Sequence, residues 1–123
     1  MAILQDEEHI MLITTTPIIE GYRIVEYHGL VTAKNVRAVN VIRDFFTAFR
    51  DFFGGRSASY EDVMNEIQSE VLQEIQAKAE EGGANAIISL NLDFENIGSK
   101  NKSMIMAFVK GTAVVIEKMN NKE

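Results

Sequence analysis

Residues 43–56 read RDFFTAFRDFFGGR, and the breadth of the apolar surface they create limits the folds open to this chain. On a helix advancing about 100° per residue, Ala38, Val39, Val41, Ile42, Phe45, Phe46, Ala48, Phe49, Phe52 and Phe53 fill a continuous arc of about 180°. A helix lying on one sheet needs an apolar stripe of only about 100°. The surplus calls for a second packing partner, either another helix of the same chain or another copy of it. Each large aromatic side chain left in water forfeits roughly 1.5–3 kcal/mol of burial, and together they would form a patch prone to association. The reading favoured here is burial between copies, in a closed symmetric homo-oligomer whose interface includes Phe45, Phe46, Phe49, Phe52 and Phe53.

Around that segment the periodicity predicts two β segments, two helices and two more β segments. Residues 10–16 are β-rich and stop at Pro17, which cannot donate to a sheet ladder. After Gly21 the chain alternates, with Tyr22, Ile24 and Glu26 on one face and Arg23, Val25 and Tyr27 on the other. Helical periodicity covers residues 36–53 and ends at Gly54-Gly55. A second helix is expected to open at a Ser59 cap, with Met64, Ile67, Val71 and Ile75 as its inner stripe, and to stop at Gly82-Gly83. In the next strand Ile88, Leu90, Leu92 and Phe94 are expected on one face. Residues 98–102 form a hairpin loop, and the returning strand is expected to turn Met104, Met106 and Phe108 inward. The fold class is therefore α+β, a small antiparallel or mixed sheet in ββααββ order with two helices packed on it. Residues 1–10 are an extension, 11–116 a single domain and 117–123 a polar tail.

The chain of 123 residues is long enough to bury one core. It has no cysteine, which excludes disulfides, zinc-thiolate sites and cysteine nucleophiles. No apolar run approaches the roughly 20 residues that span a bilayer. Asp6, Glu7 and Glu8 stand where a secretory signal carries basic residues, so the expected compartment is the cytoplasm, with no membrane contact. Residues 60–81 hold seven acidic side chains against Lys78 alone, and this one segment accounts for the whole net charge of −6. Nucleic acid is an unexpected partner, because no segment offers the clustered Lys and Arg that displace counterions.

The polar half of the phenylalanine segment is the first candidate site. Arg43 and Arg50 lie one heptad apart, as do Asp44 and Asp51. They form either a solvated ladder of ion pairs or a strip recognising a ligand or subunit through arginine forks. Asn40 and Arg56 flank it. The loop GGRS (residues 54–57) lacks the lysine and strand context of a P-loop and reads as a turn between helices, while GGANA (82–86) reads as a helix cap and turn with Asn85 suited to left-handed geometry. Glu66, Glu70 and Glu74 repeat at i,i+4, a like-charge series that water, a cation or a neighbour's Arg43 or Arg50 would have to offset. No nucleophile elbow, HExxH or GxGxxG occurs, so no enzyme activity and no cofactor is expected.

Four ordered motifs carry a resemblance to a known family: Asn40-x-x-Arg43-Asp44, then Arg50-Asp51-x-x-Gly54-Gly55-Arg56-Ser57-x-x-Tyr60, then Gly83-Ala84-Asn85-Ala86, then Gly111-Thr112-Ala113-Val114. From about Met11 to Ile116 the chain resembles the YbjQ-like proteins, also called UPF0145, whose label names heavy-metal binding. The resemblance implies a subunit similar in fold to dodecin subunits that assembles into a ring, with a homopentamer favoured. It does not imply an established activity. With no cysteine and only His9 and His28, a metal site would have to be rich in oxygen; the pairs Glu26/His28 and Asp93/Glu95, each at i,i+2 on a strand, are the candidates. The expected function is a non-enzymatic homo-oligomeric ring, structural or binding a small molecule at subunit junctions. The alternatives are a metal-ion binder and an enzyme built on the Arg43, Asp44, Arg50 and Asp51 strip.

Overall fold

A computed structural model describes residues 11–38, 58–99 and 102–120. The elements in order are β1 (Leu12–Ile13), β2 (Tyr22–Ala38), α1 (Ala58–Glu81), β3 (Ala86–Ser99) and β4 (Lys102–Lys118). They form an α+β fold with one mixed four-stranded sheet in the order β1-β3-β4-β2. β1 runs parallel to β3, and β4 runs antiparallel to both β3 and β2.

The described residues contain one helix, not two packed on the sheet. Helical periodicity was expected from residue 36, yet Val36, Arg37 and Ala38 continue β2, paired with Met106, Ile105 and Met104 of β4. The long partner strand decides their conformation, as cross-strand packing commonly overrides local propensity. The remainder of that expected helix, with Val39, Asn40 and everything to Phe53, lies outside the described residues.

Helix α1 forms where Met64, Ile67, Val71, Ile75 and Ala79 recur every three or four residues and so share one face. Ile67, Val71, Ile75 and Ala79 are buried with Ile13, Ala33, Ile87, Ala107, Val109 and Ala113 of the sheet. The helix already includes Ala58, one residue before the expected cap at Ser59. At its other end Gly83 adopts φ 96°, its N–H donates to Glu80 O, and Ala84 N–H donates to Ala79 O, each at 3.0 Å. This pair of bonds satisfies carbonyls the helix would otherwise leave open, and it needs the left-handed residue that glycine supplies without a Cβ clash. Asn85 is not left-handed as expected; its amide bridges to β4 instead, Nδ2 donating to Ile116 O at 3.0 Å and Oδ1 accepting from Ile116 N at 2.7 Å.

Three bulges set which side chains meet the helix. On β3, Ile88 pairs with Thr112 and Asn91 with Lys110, so one residue is extra there, and Ser89 takes φ 54°. An extra residue reverses the alternation. Ile88 therefore packs with Leu12, Ala86, Val114 and Ile116 in a second cluster on the face away from α1, whereas Leu90 and Leu92 pack under the helix. The expected single face of Ile88, Leu90, Leu92 and Phe94 is thus split, and Phe94 is exposed. On β2 the register shifts between Ile24 and Glu26 and again between Tyr27 and Gly29.

The expected inward side of β4 is also reversed. Ala107, Val109 and Ala113 lie beneath α1 with Ile105 beside them, so alternation turns Met104, Met106 and Phe108 to the opposite face, where they are half-buried. A helix approaches a sheet closely over small side chains, and Ala33, Ala107 and Ala113 provide that floor. The apolar residues Leu30 and Val36 share the face away from α1, which no helix covers among the described residues, and are exposed, Leu30 to 76%.

Candidate functional site

Between the two shifts on β2 Glu26 and His28 meet: His28 Nε2 and Glu26 Oε1 are 2.8 Å apart. The i,i+2 spacing anticipated this pairing, and the strand is irregular on both sides of it. The imidazole is mostly covered while the carboxylate stays in water. His28 also approaches the C-terminus of α1, where a Cβ added to Gly83 would lie 3.5 Å from His28 Cε1. Between this end of the helix and β2 is an open cleft of about 330 Å³, lined by His28, Gly29, Val31, Lys78, Gly82 and Ala113. Lys78 crosses it, its Nζ donating to Thr32 O at 3.0 Å. The site thus offers one imidazole, one carboxylate and one ammonium. Among the described residues no three His, Asp or Glu side chains converge as a metal-ligand group.

Asp93 and Glu95 are both exposed, on the helix-free face in the rows of Phe108 and Met106. Asn40, Arg43, Asp44, Arg50, Asp51 and Arg56, and the five phenylalanines from Phe45 to Phe53, lie outside the described residues.

The acidic series on α1 has a partner that sequence reasoning missed. Glu70 Oε2 accepts from Arg37 Nη2 at 2.5 Å and from Asn35 Nδ2 at 2.6 Å, and both donors stand on the helix-facing side of β2. The Arg37 hydrogen bond, aided by Asn35 and the guanidinium charge, holds the Glu70 carboxyl below the usual carboxylate range against a smaller opposing effect of desolvation. For Glu70 the opposing charge comes from the same chain; Arg43 and Arg50 lie outside the described residues. The alternating polarity of Asn35, Val36, Arg37 and Ala38 was the available signal for a strand presenting both donors. Glu66 and Glu74 remain exposed. Among the described residues one buried polar atom, Gln76 Oε1, has no hydrogen-bond partner, a loss on the order of 1–3 kcal/mol.

Because the folded state lowers the Glu70 pKa, the stability it contributes is present above the unfolded pKa and fades as pH falls through the folded one. Glu70→Gln is expected to flatten the acid limb of stability against pH while leaving the neutral-to-alkaline limb parallel to wild type. Urea melts across an acid-to-neutral series check this, and parallel acid limbs would remove the assigned role.

No helix among the described residues is long and apolar enough to cross a membrane. A family model described as "Putative heavy-metal-binding" matches residues 11–117. A UPF0145 protein of Haemophilus ducreyi is 46% identical over 106 residues, covering 86% of this chain and 99% of that protein. A UPF0145 protein of Actinobacillus pleuropneumoniae is 43% identical over the same length and coverage. Among solved structures, a protein of unknown function from Pediococcus pentosaceus, assigned to the DUF74 family, superposes with a TM-score of 0.60 at 20% identity, covering 87% of this chain and 98% of that one. That likeness concerns the fold. With nearly the whole length of these relatives matched and the family model spanning the sheet and its helix, the chain belongs to the UPF0145 family of YbjQ-like proteins.

Proposed function

We propose that this protein is a non-enzymatic homo-oligomer, a ring of identical subunits that holds a small ligand at or near its junctions. The observation that carries the reading is the one-sided sheet. Among the described residues α1 covers one face only, while Leu30 and Val36 are exposed and Met104, Met106 and Phe108 half-covered on the other. Apolar side chains left open on a sheet face and rimmed by charges, here Lys34, Asp93 and Glu95, mark an interaction site, and the phenylalanine segment, too broad in its predicted helical form for one sheet, adds a second. Burial between copies answers both. A pentamer is the stoichiometry favoured by the family resemblance.

A second reading rests on the Glu26–His28 contact. An imidazole nitrogen and a carboxylate oxygen 2.8 Å apart suit a divalent transition metal as two ligands, with water or a neighbouring subunit completing the coordination.

Native mass spectrometry tests both. The expected mass is a multiple of the 13.8 kDa protomer, reduced to a single protomer by Phe49→Asp. Folded wild-type monomer at micromolar concentration would reject the assembly. Titrating zinc, nickel and cobalt into chelator-treated protein is expected, on the second reading, to add bound metal that His28→Ala abolishes; equal metal uptake by both proteins would reject that site.

A further inference from the structure

Among the described residues the sheet leaves two edge stretches without a neighbouring strand, and they differ in charge. β1 engages β3 only as far as Leu90, through Leu12↔Ala86, Ile13↔Ile87 and the bonds from Ser89 N to Thr16 O and Leu90 N to Thr14 O. Beyond it, Asn91–Ser99 of β3 has no neighbour but β4 among the described residues. On the opposite side, Leu30–Ala38 of β2 likewise has only β4. One carbonyl in that stretch, that of Thr32, also accepts from Lys78. The two edges are equally long, free of bulges and at the same end of the sheet, sharing the rows Thr32–Lys110–Asn91, Lys34–Phe108–Asp93 and Val36–Met106–Glu95.

Residues 30–38 include Lys34 and Arg37 and no acid; residues 91–99 include Asp93 and Glu95 and no base. Arg37 is already bound to Glu70, so the unspent charges are Lys34 on one edge and Asp93 and Glu95 on the other. All three are exposed on the helix-free face. Exposed large apolar residues accompany them, Leu30 and Val36 on the β2 edge and Phe94 and Ile97 on the β3 edge. Natural edges are commonly blunted by proline, bulges or charges; neither stretch carries a proline or a bulge, and the charges on the two are of opposite sign, so they oppose pairing of like edges and favour pairing of one edge with the other.

We infer that the β3 edge of one copy pairs with the β2 edge of the next, so that the sheet continues head to tail from subunit to subunit. The occupant is a second copy of this chain, because the complementary edge is its own. Pairing like edges would set Lys34 against Lys34, or Asp93 and Glu95 against themselves, which opposes a two-fold junction. A head-to-tail contact whose rotation closes makes a ring and leaves no free edge in it. β2 and β3 both run opposite to β4 and therefore in the same direction, so rotation about a ring axis makes the junction a parallel pair. This inference rests on the assembly proposed above and names the surfaces that carry it.

The chain has no cysteine, which permits a clean disulfide test. Within one protomer β2 and β3 are two strand spacings apart, about 9.6 Å, too far for a disulfide, whose Cβ atoms lie about 4 Å apart. Cysteines are placed singly at Thr32, Lys34 or Val36, singly at Asn91, Asp93 or Glu95, and in every pairing across the two groups, then oxidised and run under denaturing, non-reducing conditions. Single variants are expected to stay monomeric, and at least one pairing to give a covalent ladder ending at the native mass. Covalent dimers from single variants would overturn the junction in favour of a two-fold one. Absence of a ladder from every pairing, with a native mass still a multiple of 13.8 kDa, would overturn the junction and leave the assembly standing. Wild-type monomer by native mass would remove both.

Discussion

Replacing Ile75 by alanine is expected to cost about 2–5 kcal/mol of stability, the range for deleting a large buried aliphatic side chain. Ile75 is fully buried, on the line of α1 that also includes Ile67, Val71 and Ala79, and the floor beneath belongs to Ile13, Ile87, Val109 and the alanines of β2 and β4. The sheet's small residues let the helix sit close, so little slack exists for neighbours to fill the space that Cγ1, Cγ2 and Cδ1 would leave. Much of the cavity should therefore persist, which puts the expected loss above that of simple transfer. Ile75→Val should lose only about 0.5–1.5 kcal/mol. Glu74→Ala, one residue away on the exposed face, should change stability by no more than about 0.5 kcal/mol. Urea denaturation at one fixed protomer concentration measures all three, since assembly makes apparent stability depend on concentration. An Ile75→Ala loss no larger than that of Glu74→Ala would show that α1 does not seal the core.

The helix was legible in the sequence because two independent signals coincide: a three-and-four spacing of Met64, Ile67, Val71 and Ile75, and a glycine pair that ends it. The faces of β3 and β4 were not. From Ile88 the stretch ISLNLDFE alternates without interruption, so nothing in it announces that Ser89 is an extra residue and that Ile88 turns away from Leu90. SMIMAFV is apolar on both faces, and large size suggested that its methionines were the core. The governing constraint was the opposite one, since the helix demands small residues beneath it, and Ala107 with Ala113 was the clue. The Arg37–Glu70 contact joins positions far apart in sequence on elements whose adjacency is a property of the sheet order. The Glu26–His28 pairing was readable from spacing; its setting beside Gly83 and Lys78 depends on where α1 ends over β2, which periodicity does not specify. The proposed edge pairing was hidden for the same reason, because strand order decides which residues are edges.

Gly111→Ala is expected to destabilise the fold by about 1–3 kcal/mol, the usual cost of overpacking, although glycine-to-alanine changes at unstrained positions commonly stabilise by about 0.4–1 kcal/mol. The sign is set by what the new methyl would meet. A Cβ at this position would lie 2.6 Å from Ile87 Cγ2 and 3.2 Å from Ile88 O. The first distance is far inside contact, and Ile87 is fully buried with no free direction to move. The second obstacle is backbone at the β3 bulge, held by Ser89 N donating to Thr16 O and Leu90 N donating to Thr14 O. Gly111 is thus the space into which the bulge leans, a physical reason for glycine at the head of the Gly111-Thr112-Ala113-Val114 stretch. A double-mutant cycle separates this clash from a general loss of strand packing. Ile87→Ala removes Cγ2, so Gly111→Ala should cost less in that background than in wild type, with a coupling energy of about 0.5–3 kcal/mol, as for residues in direct contact. Additive losses in urea melts of the four proteins would show that the methyl meets no obstacle at Ile87, and with it would fall the account of why β4 carries glycine opposite the bulge.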